Sequence, residues 1–135
     1  MTLKMRSNAF LLDTHAFLWA IDSFEELSNT AEEIILEKSN EIYLSKVSYW
    51  EICLKISKGK LNLGVQWEEK LERERKANRF HWLELAVKHC ETMITLPWHH
   101  KDPFDRMLSA QAQCENLTIL SRDQKLSLYS DDVVW

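Results

Sequence analysis

The stretch that most constrains this chain is Ala9–Ala20, AFLLDTHAFLWA. Ala9-Phe10-Leu11-Leu12 is apolar without alternation, the pattern of a short strand buried on both faces. It stops abruptly at Asp13. Phe17, Leu18 and Ile21 then recur at three-to-four-residue spacing, which predicts a helix directly after the acid. Open parallel sheets place their ligands at such points, where a buried strand hands a carboxylate to a helix start. The alternative is that Asp13 only caps the helix.

The same punctuation recurs along the chain. Ser28-Asn29-Thr30 opens a helix running to about Lys38, and Ile42-Tyr43-Leu44 is a second strand candidate. Ser45–Lys58 reads as a helix ended by Gly59, with Glu51 inside it. Val65–Asn78 is a polar helix with a thin apolar edge at Trp67 and Leu71, its mixed charges forming a solvated face. Phe80–Leu83 is a third strand, followed by a helix over Ala86–Leu96 whose apolar residues are Val87, Cys90, Met93 and Ile94. Asp102 and Pro103 supply the cap and first residue of another helix, on which Phe104, Met107, Leu108, Gln111 and Ala112 share a side. Leu117–Leu120 is a fourth strand, Asp123 opens a short helical turn, and Val133-Val134-Trp135 is a candidate edge strand. Strands alternating with helices predict an α/β fold with a mostly parallel sheet. With no repeat, linker or low-complexity tract, residues 1–135 read as a single domain.

Bulk properties narrow the class. Two glycines and two prolines in 135 residues argue against long loops or disorder. A formal net charge of -4 means that no global positive field draws in nucleic acid, so such a partner requires local cations or bound metal. Cys53, Cys90 and Cys114 are scattered and form no framework, as expected of reduced thiols in the cytoplasm. The first residues do not read as a secretory leader, and no stretch has the apolar length of a membrane span, so a soluble protein is expected.

Four acids occupy equivalent positions. Asp13 ends the first strand, Glu51 lies in the helix after the second, Asp105 in the first turn of the Pro103 helix, and Asp123 just beyond the fourth strand. In a right-handed parallel sheet these points share one edge. Two like charges about 4 Å apart repel by ~1 kcal/mol in water and ~4 kcal/mol at a protein-like dielectric. Gathered carboxylates are therefore expected to be protonated or neutralised by divalent cations. All-oxygen ligands select a hard ion, Mg²⁺ or Mn²⁺, whose natural chemistry is hydrolysis of a phosphodiester. Each acid also has a plainer role: Asp13 and Asp123 as caps, Glu51 as a solvated helix residue, Asp105 as a complement to a helix dipole.

The segments LLDTHAFLWA (11–20), LSKVSYWEICLKISKGKL (44–61), HHKDPFDRMLSAQA (99–112) and TILSRD (118–123) together resemble the PIN-domain proteins of the VapC type, toxins of bacterial toxin–antitoxin pairs. The resemblance implies a three-layer α/β/α sandwich and a Mg²⁺-dependent endoribonuclease, with Mn²⁺ as a possible substitute. It maps the family's catalytic and metal-binding acids onto Asp13, Glu51, Asp105 and Asp123, and its neighbouring polar residues onto Thr14 and Ser121. Asp102 matches an additional acid, read as a cap or supporting residue. The resemblance also implies a VapB-like antitoxin partner, an RNA substrate and a homodimer, while the residues before Ala9 exceed the usual family start. A non-catalytic PIN-fold module binding antitoxin or RNA is the alternative. A phosphatase with Asp13 as nucleophile is a third, disfavoured because His15 stands where a second acid is wanted.

Other residues carry weaker signals. His15, His81, His89, His99 and His100 lack ligand spacing and are expected in structural or surface roles. Arg106 and Arg122 are placed either to steady phosphate or to pair with a carboxylate. Lys46, Lys55, Lys58 and Lys60 surround the Glu51 helix, either as a track for a nucleic-acid backbone or as ordinary surface charge. Trp19, Trp50 and Trp67 are expected to pack against core or a partner rather than stack on bases.

Overall fold

A computed structural model describes residues 8–99, 101–129 and 132–135. The basic N-terminal residues 1–7 and His100 lie outside the described residues. The elements follow the order β1 (Ala9–Leu12), α1 (Thr14–Asp22), a 3₁₀ turn (Phe24–Glu26), α2 (Asn29–Leu36), β2 (Glu41–Ser45), α3 (Lys46–Ser57), α4 (Trp67–Ala77), β3 (His81–Leu83), α5 (Val87–Thr95), α6 (Pro103–Glu115), β4 (Thr118–Leu120), a second 3₁₀ turn (Gln124–Leu128) and β5 (Val133–Val134). The sequence missed only the first 3₁₀ turn. Phe80 stands just outside β3, buried, its N–H donating to the Arg75 carbonyl at 3.0 Å.

The five strands form one parallel sheet in the order β3-β2-β1-β4-β5. β1 is central, with Leu11 opposite Tyr43 on one side and Ile119 on the other. The chain moves outward from β1 to β2 and β3, then returns to lay β4 and β5 on the opposite side. Right-handed crossovers in opposite directions must place their helices on opposite faces. Two apolar clusters bear this out. Phe10, Leu12 and Leu44 pack with Phe17, Ala31, Ile52 and Leu71 from α1–α4, while Leu11 and Ile119 pack with Leu108 and Ala112 from α6. The result is the expected three-layer α/β/α sandwich. No helix of the described residues is long and apolar enough to cross a membrane.

The outer layer departs from expectation at α5. Three of its four apolar residues face solvent, with Val87 75% and Ile94 76% exposed and Cys90 also exposed, while Met93 is half-buried. Its polar side faces α6 instead. His89 is buried, accepts at Nδ1 from the Ala86 N–H at 2.9 Å, and donates from Nε2 to Glu115 at 2.8 Å, while Thr92 Oγ1 lies 3.0 Å from Cys114 Sγ. Hydrogen bonds to a helix that is itself buried on most sides therefore orient α5, and its hydrophobic periodicity does not. The His89 and Lys88 partners hold the Glu115 carboxyl below its ordinary range.

Leu11 is fully buried at the centre of the sheet. Leu11→Ala is expected to destabilise the chain by about 2–5 kcal/mol with an unchanged m-value, as measured by urea denaturation.

Candidate metal centre at the sheet edge

The site lies where the strand order reverses, at the carboxyl ends of β1 and β4. Asp13 follows Leu12 directly, and its N–H donates to the Leu120 carbonyl at 3.2 Å, so the central strand pair runs right up to the acid. Its Oδ1 caps α1 by accepting from the Ala16 N–H at 2.9 Å, and its Oδ2 accepts from Ser121 Oγ at 2.5 Å. Ser121 Oγ in turn accepts from the Asp123 N–H at 2.9 Å, tying the end of β1 to the turn after β4. The capping role and the site role thus fall on the same carboxylate.

Thr14, one residue further on, reaches across to α3. Its Oγ1 donates to Glu51 Oε1 at 2.7 Å and lies 2.9 Å from Ser48 Oγ. The other oxygen of Glu51, Oε2, is 3.2 Å from Lys55 Nζ, one helical turn on. Asp102 caps α6 through the N–H groups of Phe104 (2.8 Å) and Asp105 (3.2 Å), and Asp123 caps the second 3₁₀ turn through the Lys125 N–H at 2.9 Å.

These elements close on one cleft of about 160 Å³, lined by Asp13, Thr14, His15, Glu51, Lys55, Asp102, Asp105 and Asp123. The four acids singled out in the sequence are brought together, and Asp102 joins them. Their donors are oxygens throughout, the chemistry a hard divalent cation requires. Among the described residues, no three carboxylate, imidazole or thiolate groups are already closed round one point to hold a metal ion. Binding one would require these carboxylates to draw closer together.

Burial pushes the Asp13 carboxyl above its ordinary range and Asp123 adds to the rise, while the Ser121 and Ala16 hydrogen bonds and His15 oppose it. The charge of Asp13 is thus opposed by burial and tolerated through its hydrogen bonds, while that of Glu51 is offset by Lys55. The lysine is a counterion the sequence argument did not include.

Arg106 does neither of the things expected of it. Its guanidinium is 2% exposed and donates to the carbonyls of Pro97 (2.8 Å), Met93 (3.1 Å) and Leu96 (3.3 Å), with the Trp98 ring centred 3.7 Å away. It fastens the C-terminal end of α5, where free carbonyls and the helix dipole favour a cation. The missed signal is that Arg106 adjoins Asp105 on a helix, so the two side chains diverge. His15 and Trp19 stack at 5.6 Å, Trp19 meets Trp135 at 5.7 Å, and Trp67 meets Tyr49 at 5.6 Å, as expected of tryptophans in packing roles.

With its pKa raised, Asp13 holds a proton more tightly in the folded than in the unfolded chain. Its contribution to stability is present below the unfolded value and is lost as pH rises through the folded one. At neutral pH its ionisation works against folding. Asp13→Asn is expected to raise the melting temperature of the metal-free protein at pH 7 and to flatten its stability profile across the mildly acidic range, as measured by calorimetry.

The PIN-domain family profile matches residues 10–131. Among solved structures, the chain superposes on VapBC2 from Rickettsia felis bound to a promoter DNA fragment with a TM-score of 0.68 at 17% identity, covering 94% of this chain and 97% of that one. A toxin–antitoxin complex from Klebsiella pneumoniae gives 0.59 at 20%, covering 93% and 95%, and FitAcB from Neisseria gonorrhoeae gives 0.61 at 18%, covering 93% and 96%. No curated protein matches at a significant level. At these identities the structures testify to the fold, and the profile over most of the chain to its descent: this protein belongs to the PIN-domain family.

Proposed function

We propose that this chain is a divalent-metal-dependent endoribonuclease of the VapC type, the toxin of a toxin–antitoxin pair. The observation that carries the reading is the convergence of Asp13, Glu51, Asp105 and Asp123, with Asp102, on one small cleft at the switch point of the sheet. PIN domains are in general nucleases, and carboxylates gathered from four separate segments into one small cleft repel one another unless a cation or proton neutralises them.

In this reading Asp13, Glu51, Asp105 and Asp123 hold Mg²⁺, with Mn²⁺ able to replace it. The bound cation supplies a polarised phosphate and an acidified water. The protein's own groups do the rest. Ser121 orients Asp13, Thr14 orients Glu51, and the Asp102 cap sets the first turn of α6 from which Asp105 projects. Lys55 stands beside Glu51, and with a cation held by these acids it would be placed to meet a phosphate oxygen.

Partners follow from the same reading. One of the similar structures is a toxin–antitoxin complex and another is VapBC2, which supports a small VapB-like antitoxin; the homodimeric toxin rests on the family resemblance alone. The described cysteines are all unpaired with one another, in keeping with a cytoplasmic setting.

Two observations favour the alternative of a non-catalytic binding module: Glu51 already has a cation in Lys55, and among the described residues no three acids stand ready round one point. The nucleophilic-aspartate reading gains no support, since both Asp13 oxygens are engaged.

Two measurements decide. RNA cleavage in Mg²⁺ is expected to fall at least about 100-fold in Asp105→Asn and Asp123→Asn, by comparison with losses for groups that merely support metal ligands. At 100 times its Kd, Mn²⁺ is expected to stabilise the wild type by ~2.7 kcal/mol and Asp105→Asn by much less. Undiminished cleavage in both variants removes the metal-centre reading. Absence of any acid-dependent Mn²⁺ stabilisation establishes the module instead.

A further inference from the structure

A second cleft of about 360 Å³ adjoins the acidic one, and the two share Glu51, Lys55 and Asp102. Beyond that shared wall the character reverses. Lys58, Lys60 and Lys101 line the second cleft, with Leu54, Pro103 and Phe104 as its apolar floor. All three lysines are exposed, and none is within ion-pair range of a carboxylate among the described residues. Cations gathered round one cleft repel one another, and the two carboxylates of its wall, Glu51 and Asp102, are outnumbered there by Lys55, Lys58, Lys60 and Lys101. In a protein of net charge -4 they form a local positive trough against the acidic site.

Trp50 stands on the same helix, one turn before Leu54. Its ring meets Phe104 edge-on at 5.1 Å, yet the residue is 61% exposed. An exposed indole braced edge-on by a second ring keeps a face available for stacking.

We propose that this trough carries the single-stranded nucleic acid away from the scissile phosphate, with Lys58, Lys60 and Lys101 on successive phosphates and Trp50 stacked on a base. The proposal rests on the nuclease reading, since it takes the acidic cleft as the point of cleavage. A phosphodiester lying there is one link of a polyanion, and its neighbours must leave along a surface that tolerates their charge. Cations along a groove with an aromatic platform at its rim are the general means of holding a single strand without reading its sequence. Duplex is disfavoured, because its stacked bases offer Trp50 no free face.

The test uses the full chain in an Asp105→Asn background, with EDTA to prevent cleavage, and a fluorescently labelled single-stranded RNA of about twelve nucleotides. Neutralising one phosphate contributes about 0.7 to the slope of log K against log salt for a single strand. The variant Lys58→Ala/Lys60→Ala/Lys101→Ala is therefore expected to reduce that slope by about 2. A control pair from a separate cleft at the other end of β2, Lys38→Ala/Arg79→Ala, is expected to leave it unchanged. Trp50→Ala is expected to weaken binding about tenfold with no change of slope, and Trp50→Phe to recover most of the loss. Mn²⁺-induced stabilisation of the triple variant with Asp105 restored reports that fold and acidic site are intact.

An unaltered slope in the triple variant overturns the trough, and does so without touching the nuclease reading if Asp105→Asn still abolishes cleavage. A reduced slope in a chain whose wild type never cleaves keeps the trough and removes the nuclease. A triple variant with altered mass in sedimentation but a wild-type slope assigns this face to a second copy of the chain, and overturns the proposal.

Discussion

Asp13 is 4% exposed at the end of a strand whose last three residues are buried, and both burial and Asp123 work against its charge. The architecture of the sheet edge follows from this constraint. A carboxylate in that position persists only where donors reach it, and the donors come from elements far apart in the chain: the first turn of α1 and Ser121 after β4. Thr14 repeats the arrangement toward α3, fixing Glu51. The hydrogen bonds that make the acid tolerable also bind α1, α3 and the β4 end to one point. Site and fold are therefore not separable here, and replacing the acid relieves a cost that the scaffold carries for the sake of the site.

The second consequence is a division of charge along α3. Glu51 and Lys55 sit a turn apart as an ion pair at the boundary of the two clefts, with acids on one side and unpaired lysines on the other. In the proposed nuclease such a boundary would let a cation and a polyanion approach the same place from different directions. Each meets its own complement first, and the boundary pair can separate toward both.

Much of this was legible without coordinates, and the reasons are local. Asp13, Asp102 and Asp123 each end an irregular stretch and begin a helix or turn, so the same short-range rules that identify caps also locate the acids. Apolar runs bounded by polar residues marked all five strands to within a residue or two. What failed was the use of periodicity in the outer layer. Val87, Cys90 and Ile94 look like a packing stripe, yet α5 is held through His89, Thr92 and the Arg106 fork, whose partners are 10 to 26 residues away. Hydrophobic spacing shows that a helix has two faces. It does not tell which one a neighbour with better hydrogen-bonding complementarity will take.

By itself the sequence determined the alternation of strand and helix, the acids at the strand ends and, through the handedness of parallel crossovers, the edge on which those acids lie. These depend on backbone chirality and on preferences spanning a few residues. Only the tertiary structure decided that Lys55 neutralises Glu51, that Arg106 serves the α5 carbonyls, and that Lys101 comes to stand beside Lys58 and Lys60. Those outcomes turn on which long side chains meet across segments far apart in the chain. Coulomb and hydrogen-bond energies change steeply over a few ångströms, a precision that no sequence spacing encodes.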